Sequence, residues 1–233
     1  MLNPDSKKKK GMFNMLDFSF RQISHGYLYM RITADHKYID WIFDENFTDP
    51  LVQMVNMYKN LKEGKDFCWK SREWQGTLTV TTKFQGDDKG LVLFGIHVVD
   101  NQEFGIYDDR KSDEFYQQCK DIYPLGDNEI IAEQEISTYD LCDKFETFFR
   151  LLLSSKLFPL HYPCWSCMDE VSHDKIYKEF DEFSNNLSLG DLEMEELEDE
   201  FFAEHYALSE EDKEYAKKYE NMLRNYEVPE GWK

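Results

Sequence analysis

Apolar residues at every second position open the folded part of this chain, and that period of two restricts the segment to extended strands. Leu16, Phe18 and Phe20 alternate with polar neighbours, Ser24-His25-Gly26 breaks the pattern, and Tyr27 to Thr33 resumes an extended run. Asp35-His36-Lys37 reads as a turn into a third strand, Tyr38 to Phe43, with Ile39, Trp41 and Phe43 on one face. A β-meander is therefore expected. The period then changes. Leu51, Met54, Val55, Tyr58 and Leu61 follow helical spacing behind Pro50, whose missing N–H is harmless in a first turn. Thr48 or Asp49 is placed to cap this helix and Gly64 to stop it.

Further strands are expected at Phe67 to Glu73, Thr77 to Phe84, Leu91 to Val99 and Glu129 to Ile136, separated by Trp74-Gln75-Gly76 and by Gly86-Asp87-Asp88-Lys89-Gly90. Leu91 to Val99 reads as a buried strand, because it is about half the ~18 apolar residues a membrane span requires. A short helix is expected around Ser112 to Ile122. A stronger one runs from Thr138 to Ser155, with Leu141, Phe145, Phe148, Phe149 and Leu152 in a wide apolar stripe. Strand runs joined by turns, without regular strand–helix alternation, indicate an antiparallel sheet. The expected fold class is α+β, a mainly antiparallel sheet covered by two helices, with an acidic helical C-terminal extension.

Charge divides the chain. Of the 233 residues, 47 are acidic and 27 basic, a net −20, and residues 169–233 hold −14 of it. The expected organisation is a basic leader over 1–11 with Lys7 to Lys10, an α+β domain over 12–168, and an acidic helical region over 169–233 packed on or beside it. The leader lysines read as a solvated tail rather than a nuclear address. With 18 Phe, 14 Tyr and 5 Trp the chain has ample material for a packed core. Its acidity disfavours direct binding to nucleic acid or anionic membranes and favours basic proteins as partners. Five scattered cysteines and no visible secretory signal point to a reducing, cytoplasmic setting.

Within the acidic region, Ile176, Phe180 and Phe183 fit one helix, Met194, Leu197, Phe201 and Leu208 a second, and Tyr215, Tyr219, Met222 and Tyr226 a third. Ser209 and Asp212 are spaced nearly as a capping box. On the second helix Glu193, Glu195, Glu196, Asp199, Glu200 and Glu204 fall opposite the apolar stripe. Pairs such as Glu195/Asp199 and Glu196/Glu200 repel at i, i+4 by a few tenths of a kcal/mol each, which packing or a cationic partner must offset. These six carboxylates are the candidate partner-binding face, the alternative being an ordinary solvated surface. Trp74, in the turn Glu73-Trp74-Gln75-Gly76, is the candidate aromatic anchor.

Enzyme motifs are missing: no G-x-S-x-G, P-loop, H-E-x-x-H or EF-hand pattern occurs. His25 beside Gly26 is a conceivable base without a nucleophile to serve. Cys164-Trp165-Ser166-Cys167, flanked by His161 and His173, has a spacing that zinc tolerates, but no second C-x-x-C follows and packed cysteines are the simpler reading. No catalytic residue, metal ligand or cofactor is assigned.

His25-Gly26-Tyr27-Leu28 opening a strand, Asp49-Pro50-Leu51 opening a helix, and Glu73-x-x-Gly76 before a Thr/Val strand together resemble small bacterial proteins of the immunity type from toxin–immunity loci. The resemblance covers residues 16–100 and implies a non-enzymatic protein that blocks a cognate toxin. It carries over no functional residue. The expected function is thus an acidic inhibitor that occludes a basic toxin or nuclease. A structural or adaptor subunit docking through its C-terminal helices, and a zinc-dependent enzyme, are the alternatives.

Overall fold

The structure, a computed structural model, describes residues 16–35, 37–44, 49–73, 76–87, 89–100, 129–165, 170–185 and 187–232. The expected helix at Ser112 to Ile122, Trp74 and Cys167 lie outside the described residues.

Seven strands and five helices are described, and the class is α+β. The meander forms as the alternation requires: β1 (Asp17–Ser24), β2 (Tyr27–Ala34) and β3 (Lys37–Asp44) pair antiparallel in that order. Helix α1 (Pro50–Lys62) follows, and Asp49 is its cap, accepting from the backbone N–H of Leu51 at 2.9 Å. Gly64 takes φ +67° just past the helix end, a conformation that favours glycine. Strands β4 (Phe67–Glu73), β5 (Gly76–Gln85), β6 (Leu91–Asp100) and β7 (Glu129–Ser137) then build a second antiparallel sheet. The single sheet expected from sequence is therefore two.

The sheets share one core. Ring contacts join them at Phe18–Phe94, 5.7 Å between centroids, and at Phe43–Trp69, 5.5 Å. Helix α2 (Thr138–Ser154), capped by Ser137, buries its expected stripe in the same core, with Phe145 stacked on Phe18 at 4.9 Å. Strand β6 is the buried strand expected, through one of its faces. Val92, Phe94, Ile96 and Val98 point inward, whereas Leu91 and Val99 are exposed, so it alternates like any one-sided strand. Ser71 and Glu73 of β4 are buried polar members, with Ser71 Oγ donating to Glu73 Oε1 at 2.5 Å. Burial pushes the Glu73 carboxyl up to about 7.

Three helices complete the chain: α3 (Glu170–Ser184), α4 (Asp191–His205) and α5 (Glu210–Asn225). Helix α5 starts in a full capping box between Ser209 and Asp212, and its Tyr219, Met222 and Leu223 belong to the common core. Tyr219 also donates its hydroxyl to Asp49, tying α5 to the cap of α1. Among the described residues no helix is long and apolar enough to cross a membrane.

Candidate functional site

The site begins with an irregularity in β1. Phe18 pairs with Ile32 and Phe20 with Met30, but the register slips at Arg21, so Gln22 faces Tyr29 and Ile23 faces Leu28. Cross-strand partners share a face, so the bulge turns Gln22 and Ser24 away from the core side that Phe18 and Phe20 occupy. The β1–β2 hairpin then turns on two residues, His25 at φ +50° and Gly26 at φ +82°. Such left-handed pairs match the twist of a tight hairpin, and histidine tolerates the conformation better than most side chains. The consequence is local and specific. Gln22, Ser24 and His25 emerge together on the outer side of the meander.

Helix α4 lies against that side and meets it with carboxylates. Glu195, Glu198, Asp199 and Phe202 stand at i, i+3, i+4 and i+7, one helical face. Gln22 Nε2 donates to Glu195 Oε1 at 2.9 Å, and Ser24 Oγ donates to Asp199 Oδ1 at 2.8 Å. Ser24 Oγ lies 2.5 Å from His25 Nδ1, and His25 Nε2 lies 3.1 Å from the Tyr177 hydroxyl of α3 and 3.6 Å from Glu198 Oε1. Phe202 is buried completely.

The third wall is the loop Leu157 to Trp165, in which the Phe158–Pro159 and Tyr162–Pro163 peptide bonds are cis. The Gly26 N–H donates to the His161 carbonyl at 2.9 Å, joining this loop to the hairpin. His161 itself is 0% exposed and donates Nε2–H to the Asp199 carbonyl at 2.8 Å, while its Nδ1 lies 3.4 Å from Asp199 Oδ1. Trp165 closes the cluster, stacked on His161 at 5.1 Å and edge-on to His25 at 4.5 Å.

Burial governs the charges. Desolvation pushes the Asp199 carboxyl up to about 7 and the His161 imidazole down to about 4. It also lowers His25, against the opposing pull of Glu198 and Glu195, and it raises the Tyr177 and Tyr29 phenols. A serine, a histidine and a carboxylate in hydrogen-bonding sequence have the outline of a nucleophilic triad. Yet Ser24 is buried, at 1% exposure, beneath α4, which leaves a substrate carbonyl no approach to its hydroxyl. The crevice where the sheets meet α1 and α2 is lined by Phe18, Met30, Met54, Trp69 and their apolar neighbours, and no titratable side chain lines it. Among the described residues no group of three or more His, Cys, Asp or Glu is arranged to hold a metal ion. Cys164 is buried, its thiol 3.8 Å from the Asp212 carbonyl, and His173 packs edge-on against Tyr177 and Trp165.

The six carboxylates expected on one presented face separate into two groups. Glu196, Glu200 and Glu204 are exposed, and so is Glu193, whose carboxylate also accepts from the Gly190 N–H at 3.0 Å as an N-terminal cap. Glu195 is half-buried on Gln22. Asp199 is a correction: it is 1% exposed and points into the hairpin cluster, so it cannot present charge to a partner. The apolar stripe is corrected with it. Met194, Leu197, Phe201 and Leu208 are only half-buried, and the fully buried aromatic is Phe202.

Sequence reasoning passed over Ser24, Glu198 and Tyr177, and treated His25 and His161 in separate contexts. One local signal exists, a histidine before glycine in a tight hairpin, which places a polar ring at a protruding turn. On α3, Ile176 and Phe180 are buried as the period requires, but Phe183 is 52% exposed. It stacks on Phe201 of α4, 5.4 Å between centroids, and the following link exposes Leu187 and Leu189 at 40% and 41%. No family model, curated protein or solved structure matches this chain.

Proposed function

We propose that this protein is a non-enzymatic acidic binding protein of the immunity or antitoxin type, which occludes a basic protein partner with the outer surface of α3 and α4. The observation that carries the reading is an apolar patch beside a row of carboxylates. Phe183, Leu187 and Leu189 are exposed at the end of α3 and in its link to α4, and Phe183 stacks on Phe201. Glu200 and Glu204 flank Phe201 along the helix, and Glu196 extends the row by one turn. Large exposed apolar side chains with a charged rim have the composition of an interface, in which the aromatic anchors and the carboxylates steer. A partner with Lys or Arg around an apolar contact, such as the cleft of a nucleic-acid-cleaving toxin, complements it.

The test is binding to the basic protein that co-purifies with the full chain. Reversing Glu196, Glu200 and Glu204 to Lys should slow association at least tenfold at low salt, with the difference shrinking at high salt. Phe183→Ala should speed dissociation. Unchanged kinetics in both variants would refute this surface, and a captured protein that keeps its full activity when bound would refute the inhibitor role. The adaptor alternative loses its expected contact stripe, because Tyr219 and Met222 of α5 are spent in the common core.

A further inference from the structure

The wholly buried His161 has one nitrogen whose state its partner decides. Nε2 faces the Asp199 carbonyl oxygen at 2.8 Å, and a carbonyl only accepts, so Nε2 carries a hydrogen. In the neutral ring Nδ1 is then a lone pair. It has no hydrogen-bond partner, and the polar atom opposite it is Asp199 Oδ1 at 3.4 Å. That oxygen already accepts from Ser24 Oγ at 2.8 Å. An ionised carboxylate and an imidazole lone pair facing each other in a buried site would repel, and Nδ1 would stay unsatisfied. One added proton between the two atoms converts that repulsion into an attraction.

We propose that Asp199 and His161 share a single proton, and that this proton is the clasp that fastens α4 to the β1–β2 hairpin and to the loop Leu157 to Trp165. The other polar groups that face the pair among the described residues are consistent with a cluster that holds one proton. From the hairpin come Gln22, Ser24 and His25, and from β2 the phenol of Tyr29. Trp165 lies in the loop, His173 and Tyr177 on α3, and Glu195 and Glu198 on α4 itself. Among the described residues neither Lys nor Arg belongs to that set, so no fixed cation there stands in for the proton.

The clasp has a distinctive pH behaviour. Folding raises Asp199 from 3.8 to about 7 and lowers His161 from 6.5 to about 4, so the folded pair holds one proton between those limits. The unfolded pair also holds one proton between about 3.8 and 6.5, placed on the imidazole instead of the carboxyl. Proton numbers match, so the clasp neither strengthens nor weakens across that window. Each half alone behaves otherwise. Asp199, raised, contributes stability present at low pH and lost as pH rises toward about 7. His161, lowered, contributes stability present above 6.5 and lost as pH falls toward about 4.

Amide hydrogen exchange of α4 in the full chain, expressed as protection relative to α1, reads the clasp directly from pH 4.5 to 7.5. In the unaltered protein protection should change less than threefold. Asp199→Asn, which keeps a neutral hydrogen-bonding group, should lose at least tenfold as pH falls. His161→Gln should lose at least tenfold as pH rises. In the unaltered protein an infrared band of a buried protonated carboxyl, in addition to the one Glu73 gives, should be present at pH 6 and missing in Asp199→Asn. Parallel slopes in variant and parent, or no such band with His161 titrating near 6.5, would overturn the clasp. Should His161→Gln fail to fold, Asp199→Asn and the infrared band decide. The clasp forms whether or not α4 meets a partner, so its failure leaves the docking surface untouched.

Discussion

Helices α4 and α5 are alike in sequence and unlike in structure. Both are acidic, both carry an apolar stripe at helical spacing, and both follow a recognisable start signal. Helix α5 behaves as its stripe requires: Ala216, Tyr219, Met222 and Leu223 are buried, and its carboxylates, apart from the capping Asp212 and the half-buried Glu220, stay outside. Helix α4 rotates away from its stripe and turns Glu195, Glu198 and Asp199 toward the meander, with Phe202 as its one fully buried ring. The difference lies in what each helix meets. An apolar core receives α5, whereas a polar hairpin surface with hydrogen-bond donors already in place receives α4. A carboxylate can turn inward only where donors wait for it.

The strongest way to break this contrast is to empty the anchor of each helix. Phe202→Ala should cost about 3–5 kcal/mol and Met222→Ala about 2–5 kcal/mol, measured by chemical denaturation. If Phe202→Ala costs under about 1 kcal/mol, α4 rests on its polar contacts alone and the comparison changes. Asp49 tests how α5 is tied to α1. Asp49→Ala removes the α1 cap and strands the Tyr219 hydroxyl, for a loss of about 2–3 kcal/mol, while Asp49→Asn should retain most of it.

Glu73 sharpens the contrast through pH. It is a buried carboxyl raised to about 7 with Ser71 as its side-chain partner and, among the described residues, no histidine to exchange a proton with. Its contribution is therefore full at low pH and lost as pH rises from 4.5 through about 7, unlike the balanced Asp199–His161 pair. Glu73→Gln should flatten that slope and leave the protein about 1–2 kcal/mol more stable than its parent at pH 8. The smallest effects distinguish the two sides of α4. Glu195→Lys, which loses the Gln22 bond, should destabilise by about 1 kcal/mol, whereas Glu196→Lys should stay within about 0.5 kcal/mol.

Much of this was legible in the residues. The alternation of Leu16, Phe18 and Phe20, the Asp49-Pro50 start, the Phe145/Phe148/Phe149 stripe and the Ser209/Asp212 box all describe contacts within a few positions of chain, and each appears in the structure. The division into two sheets was not legible, because whether β3 and β4 continue one ladder depends on how α1 carries the chain between them. Nor was the exposure of Leu91 and Val99. An apolar run gives no sign of which alternate residues lose their cover.

From sequence alone came the described strands and helices, the caps, and the concentration of negative charge in residues 169–233, all consequences of short-range period and composition. Tertiary structure alone decided which of those carboxylates face solvent. One extra residue at Arg21 turns Gln22 and Ser24 outward, and a left-handed His25 aims beside them. Ser24 then meets Asp199 from 175 positions away. Desolvation depends on such distant neighbours, so a carboxylate's charge state belongs to the fold and not to its place on a helix.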